Sequence, residues 1–251
     1  MRHLIAFALM VMAIPAVAAS LPELKIYTEH YKPYNFLDQD SMPAKLKGVS
    51  VDLLEAMLDR AGSDQTRKDF HLVAWENAYD TVKKRRNGLL FSAARTKERE
   101  DQFKWVCPID QFKTELVTVK SKNISISSDD ELNDYRIGAI RADVGEQLLK
   151  KAGVKQSRLS YGNEYDNLAK LKQGRIDLYA TSMDNLTSTC ENSDCDASQY
   201  KPVYTLNVTN LCFALNKRTP DSVVSKLQSA LDELRAEGRV EDLKDKYSDQ
   251  F

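Results

Sequence analysis

Two successive runs of alternating strands and helices fill the chain, and this order confines it to an α/β architecture. In the first run, residues 24–28 alternate as a strand. An aromatic loop over 31–36 follows, kept irregular by Pro33. Gly48 then precedes a helix over 49–58, where Leu54, Met57, Leu58 and Ala61 form an apolar stripe that ends before Gly62. A strand at 70–73, a helix at 76–86 stopped by Asn87-Gly88, and a strand at 89–91 complete it.

The pattern then starts again. Strands are predicted at 114–120 and 135–140. Asp143 opens a helix that runs to 151, with Glu146 at capping-box spacing. Leu159 is strand-like, 164–172 is helical before Gly174, and 176–180 is a strand. Residues 205–215 return as one or two extended segments, and helices over 221–236 and 240–247 close the chain. The second unit is followed by more sequence than it needs, which implies that the chain crosses back to the first. The crossings fall near 107–113 and 207–213. The expected division is 20–108 for the first part of lobe 1, 109–210 for lobe 2, and 211–251 for the return to lobe 1.

Length and composition agree with this division. The 251 residues suit one large domain or two lobes, and 42% hydrophobic content supplies a substantial core. The 36 basic residues against 37 acidic ones leave no global field for nucleic acid or an anionic membrane. The first nineteen residues differ in kind. Arg2 and His3 precede an apolar run over 4–14, Pro15 breaks it, and Ala16-Val-Ala18-Ala19 supplies small residues at a cleavage position. This reads as a secretory signal peptide, too short to span a bilayer as a mature helix. No other segment approaches membrane-spanning length, so the mature protein is expected to be soluble and exported, and the lack of a lipobox cysteine near the cleavage site argues against a lipid anchor; a monomer is expected.

Export gives the four cysteines meaning. An oxidising compartment permits disulfides, and Cys190 and Cys195 could close a small loop. A metal reading of that pair lacks support, because the three histidines, His3, His30 and His71, lie elsewhere. Cys107 and Cys212 are either buried thiols or a second pair, and the second becomes reasonable if both sit on crossing strands. No nucleophile–base motif or metal-ligand spacing is present, so no cofactor is expected.

The stretch Phe91-Ser-Ala-Ala-Arg95-Thr-Lys-Glu-Arg99-Glu100 has the most chemical content. Small residues leave room for a ligand beside the backbone, and two arginines four apart share one face of a helical turn. A guanidinium fork there matches a carboxylate in two-bond geometry. The competing reading is a solvated charge cluster, since Lys97, Glu98, Glu100 and Asp101 crowd the same turn.

These segments, in their order and spacing, resemble the family-3 bacterial solute-binding proteins, periplasmic receptors of polar amino acid ABC importers. The resemblance rests on Tyr31-Lys-Pro-Tyr-Asn-Phe36, Gly48-Val-Ser-Val-Asp-Leu-Leu54, and Ala74-Trp75-Glu-Asn-Ala-Tyr79. It continues through Arg95 to Arg99 and Phe103 to Pro108, Gly174-Arg-Ile-Asp177, Leu234-Arg-Ala-Glu-Gly238 and Lys244-Asp-Lys-Tyr247. It implies a two-lobed periplasmic binding protein fold of type II, with two crossing strands as the hinge and closure on a ligand.

By position, the resemblance makes Tyr31 and Trp75 aromatic walls and Ser92 a hydroxyl beside backbone groups. Arg99 becomes the carboxylate anchor, supported by Arg95. Asp143 marks the start of a second-lobe helix, and Glu29 could meet a cationic group. One departure stands out. Amino-acid binders place an aspartate five residues after the Arg-x-Asp aspartate, to take the ligand's ammonium. Counting from Asp177 gives Ser182 here, with Asp184 two residues on. The expected partners are a small carboxylate-bearing solute and the membrane permease of an ABC importer. The alternatives are a cyclohexadienyl dehydratase-like periplasmic enzyme on the same scaffold and a sensory receptor for a membrane kinase.

Overall fold

The computed structural model describes residues 21–38, 41–191, 193 and 195–247. The expected signal peptide lies outside the described residues. Ten strands are described: β1 (Lys25–Thr28), β2 (Phe36–Asp38), β3 (Lys45–Lys47), β4 (Phe70–Leu72), β5 (Gly88–Ala94), β6 (Phe103–Val119), β7 (Ile137–Ala139), β8 (Leu159–Tyr161), β9 (Leu178–Thr181) and β10 (Tyr200–Asn216). The helices are α1 (Val49–Arg60), α2 (Trp75–Lys84), the single turn α3 (Lys97–Glu100), α4 (Val144–Lys151), α5 (Glu164–Lys172), α6 (Met183–Glu191), α7 (Asp221–Ala236) and α8 (Arg239–Lys246).

Eight strands form one sheet in the order β4-β1-β5-β10-β6-β9-β7-β8, and β2 and β3 make a small separate hairpin. Each end of the large sheet is parallel: β4, β1 and β5 at one, β9, β7 and β8 at the other. Between them, β6 and β10 pair antiparallel along nearly their whole length. Each has 17 residues, roughly 55 Å when extended, so each serves one end of the molecule and then the other. The 205–215 segment is thus a single longer strand, bulged at three places including the step from Leu211 to Phe213. Cys212 sits in that bulge and is bonded to Cys107 of β6, with Cα atoms 4.8 Å apart. Cys190 and Cys195 form the second disulfide.

Strand periodicity separates the cores. Leu89 and Phe91 of β5, with Phe213 and Leu215 of β10, join the core capped by α1, α7 and α8. Leu90, Ala93 and Ala214 point to the opposite side, against α2. At the other end, Leu116 faces the core that includes Leu149 of α4, and Val117 faces the one formed with α5 and α6. The closing helices therefore pack on the N-terminal part of the chain, through Val223, Leu227, Leu231 and Leu234.

Two local expectations are corrected. Helix α6 is missing from the sequence reading, because its polar composition hides the two buried apolar positions, Leu186 and Cys190. The capping box at α4 is displaced. Asp143 accepts from the Val144 amide at 2.6 Å, but Glu146 reaches the Ala142 amide at 2.7 Å, not that of Asp143. Glu146 is held there by Lys150 and the Tyr161 hydroxyl, so it fixes the preceding turn.

Candidate functional site

Gly48 begins the construction of the site. Its φ is +126°, and a Cβ there would lie 2.3 Å from the Tyr34 carbonyl oxygen. Only glycine lets the aromatic loop approach so closely. The first amides of α1 then bond the loop: Val49 N–H donates to Pro33 O at 3.0 Å and Ser50 N–H to Tyr34 O at 2.9 Å. Asn35 closes the loop by pairing with the Tyr31 backbone and donating to Glu29 O at 2.7 Å. The Ser92 hydroxyl lies between the Asn35 amide oxygen and the Ser50 hydroxyl, the latter at 2.8 Å. Ser92 thus lines the site while its hydroxyl is engaged in holding Tyr31 and Glu29 in place.

The two ends of the sheet meet across a cleft. The Tyr31 hydroxyl is 3.4 Å from Ser182 Oγ, and Trp75 Nε1 donates to Ala142 O at 3.2 Å. Ion pairs Lys32–Glu191 at 3.4 Å and Lys151–Glu98 at 2.9 Å flank these contacts. Arg99 forms the central bridge and is fully buried. Its Nε donates to Gln147 Oε1 at 3.0 Å, Nη2 to Ala142 O at 3.0 Å and Nη1 to Ala94 O at 3.3 Å. Asp143 Oδ1 is 3.9 Å away, and the guanidinium lies over the Trp75 and Tyr79 rings at 5.3 and 5.2 Å. The Gln147 amide adds a third donor to Ala142 O at 3.2 Å. Ala142 and Ser92 both hold positive φ, 58° and 61°, a costly conformation for residues with a Cβ.

Enclosed by these contacts is a cavity of about 40 Å³. One wall carries Glu29, His30, Tyr31, Trp75 and Ser92; the other carries Asp143, Glu164, Thr181, Ser182 and Asn185. Through Glu29, Trp75 and Glu164 it adjoins an outer cleft of about 760 Å³ edged by Glu76, Arg141 and Tyr165. Burial pushes the Glu29 carboxyl well above its ordinary value; Asp143 and Glu164 push it further, and Arg99 opposes them. The Glu164 and Asp143 carboxyls are also raised by burial, Asp143 against the pull of Arg99. Burial and Lys32 lower the His30 imidazole.

The structure brings Glu29, Tyr31, Trp75, Ser92 and Asp143 together around this cavity. Arg99 does not line the cavity; its Nε and Nη2 reach Gln147 and Ala142 on the opposite side of the cleft and its Nη1 stays with Ala94. Arg95 is elsewhere: its side chain pairs with Glu100 at 2.5 Å and lies over Trp105 on the outer surface. Asp184 is exposed in the first turn of α6 and lines neither the cavity nor the outer cleft, whereas Ser182 is buried at the cavity wall. Glu164, Thr181, Asn185 and Gln147 were missed. Glu164 opens α5, where the helix dipole favours a carboxylate, but nothing in its neighbours marks it as facing a cleft.

The family described as bacterial extracellular solute-binding proteins, family 3, matches residues 24–250. The chain belongs to this family. Among curated relatives of this solute-binding protein is the "Probable amino-acid-binding protein YxeM" of Bacillus subtilis (strain 168), 23% identical over 81% of this chain and 76% of its own. Solved structures share the fold. An ancestral arginine-binding protein bound to arginine superposes with a TM-score of 0.73 at 23% identity, covering 89% of this chain and 97% of that one. A histidine kinase sensor domain similar to periplasmic binding proteins gives 0.76 at 19% identity, over 89% and 95%. No described helix is long and apolar enough to cross a membrane.

Proposed function

We propose that this solute-binding protein captures a small amino-acid-like solute between two lobes in the periplasm and presents the closed form to the permease of an ABC importer. The lobes in this reading are 20–108 with 211–251, and 109–210, and residues 1–19 are removed on export. The carrying observation is the enclosed cavity whose two walls come from opposite ends of the sheet. Support also comes from family membership and from the similar fold of a substrate-binding protein of an amino acid ABC transporter. Tyr31, Trp75, Ser92, Glu29 and Asp143 surround the solute in this proposal, joined by Ser182 and Glu164. Arg99 clamps the closed form through Ala142 and Gln147. The proposed site leaves out Arg95 and Asp184, whose side chains stand outside the cavity.

Thermal shift and small-angle scattering with an amino acid and amine library test it. Ligand at a hundredfold its Kd should add about 2.7 kcal/mol of stability and shrink the radius of gyration, and Arg99→Ala should abolish the shrinkage. Turnover of a prephenate-like substrate that vanishes in Glu29→Gln would replace the receptor reading with the enzyme one.

A further inference from the structure

The charges at the cavity wall are of one sign. Glu29, Asp143 and Glu164 line it, and no lysine or arginine does. His30 also lines it, but burial and the neighbouring Lys32 disfavour its charged form. Among the described residues, neither the Glu29 nor the Glu164 carboxylate has an ion pair, and the one hydrogen bond to either is that of Glu164 with its own backbone amide. Desolvation and mutual repulsion penalise the charged forms of both groups, and a cation between them would offset that penalty. The aromatic side chains of Tyr31, Trp75 and Phe112 stand at the same cavity, a residue type that favours a cation nearby.

The guanidinium expected to receive a ligand carboxylate is already occupied. Three of the Arg99 donors are bonded to protein oxygens, and Asp143 provides a carboxylate at 3.9 Å from within the chain. An anionic group entering the cavity would meet three carboxylates and no exposed donor of Arg99. A volume of about 40 Å³ has room for a head group of a few heavy atoms, and the adjoining outer cleft has room for the body behind it.

We propose that the group seated in the inner cavity is a cation, an ammonium or guanidinium held between Glu29 and Glu164. Asp143 takes the place of a ligand carboxylate at Arg99, so the solute class is short aliphatic amines and guanidines of net positive charge, with or without a carboxylate. This rests on the receptor reading above and revises the expectation that the carboxylate is the recognised end.

The test is a binding series on the mature full-length protein by thermal shift and calorimetry. The probes are arginine and lysine, their decarboxylated counterparts agmatine and cadaverine, glutamine and glutamate. The expected result is binding of all four cations within about tenfold of one another, and none of glutamate. Glu164→Gln and Glu29→Gln should each weaken the cations by at least about tenfold, the equivalent of one modest charge pair, with circular dichroism unchanged. Agmatine failing where arginine binds overturns the dispensable carboxylate. Glutamine or glutamate binding while the cations fail overturns the cation seat and leaves the receptor reading intact. Silence across this panel and the full amino acid library overturns both.

Discussion

The two disulfides should differ in what they contribute, and their loop lengths set the difference. Cys107 and Cys212 are 105 residues apart and Cys190 and Cys195 only 5. In the chain-entropy account, a cross-link removes freedom from the unfolded chain as a constant plus 1.5R ln n. A loop of 105 residues then gives about 5 kcal/mol at 25 °C, and a loop of 5 about 2 kcal/mol. Unfolding Cys107→Ala/Cys212→Ala and Cys190→Ala/Cys195→Ala in urea, with linear extrapolation to water, reads these values directly. For a protein of this size the corresponding falls in Tm are roughly 10–20 °C and 4–8 °C. Equal losses, or a greater loss from the short loop, would refute the entropic argument and assign the effect to native contacts around each bridge. A loss below about 1 kcal/mol for the long pair would refute the entropic magnitude in the same way.

Gly48→Ala should destabilise by roughly 2–3 kcal/mol, since the Cβ meets the Tyr34 carbonyl at 2.3 Å and the φ is +126°; ligand affinity should fall with it, read by calorimetry. Ala142→Gly should raise the Tm, because glycine relieves the positive φ of 58° by an amount of order 0.5–1 kcal/mol. The Glu29 carboxyl is raised above 4.5 in the folded protein, so the folded state keeps a proton that the unfolded chain releases. Its stabilisation is full below pH 4.5 and is lost as pH rises through the folded value, at about 1.4 kcal/mol per pH unit inside that window. Glu29→Gln should flatten that part of the ligand-free stability profile, and parallel profiles for the two proteins would refute the assignment.

Much of the fold was legible in the order of residues. Glycine stops at 62, 88, 174 and 238 bound the helices, and strands such as β5, buried at all seven positions, read as apolar runs. Where local pattern was faint, reading failed: α6 carries two buried apolar residues among polar ones, and its helix forms because Leu186 and Cys190 find a core already built by α5 and β9. The arginine pair shows the same boundary. Spacing put Arg95 and Arg99 on one face, yet packing sent Arg95 to Glu100 on the surface and buried Arg99 against Trp75 and Tyr79.

The sequence by itself determined the two α/β units, their crossing back, and the aromatic loop that Gly48 permits, because backbone preference and apolar period act over a few residues. Only the tertiary structure decided that Glu29 and Glu164, 135 positions apart in the numbering, would share one cavity, and that the chain's own Asp143 would face Arg99. Coulomb forces and desolvation depend on distance through space and on enclosure, and neither quantity exists until the sheet has brought the two halves together.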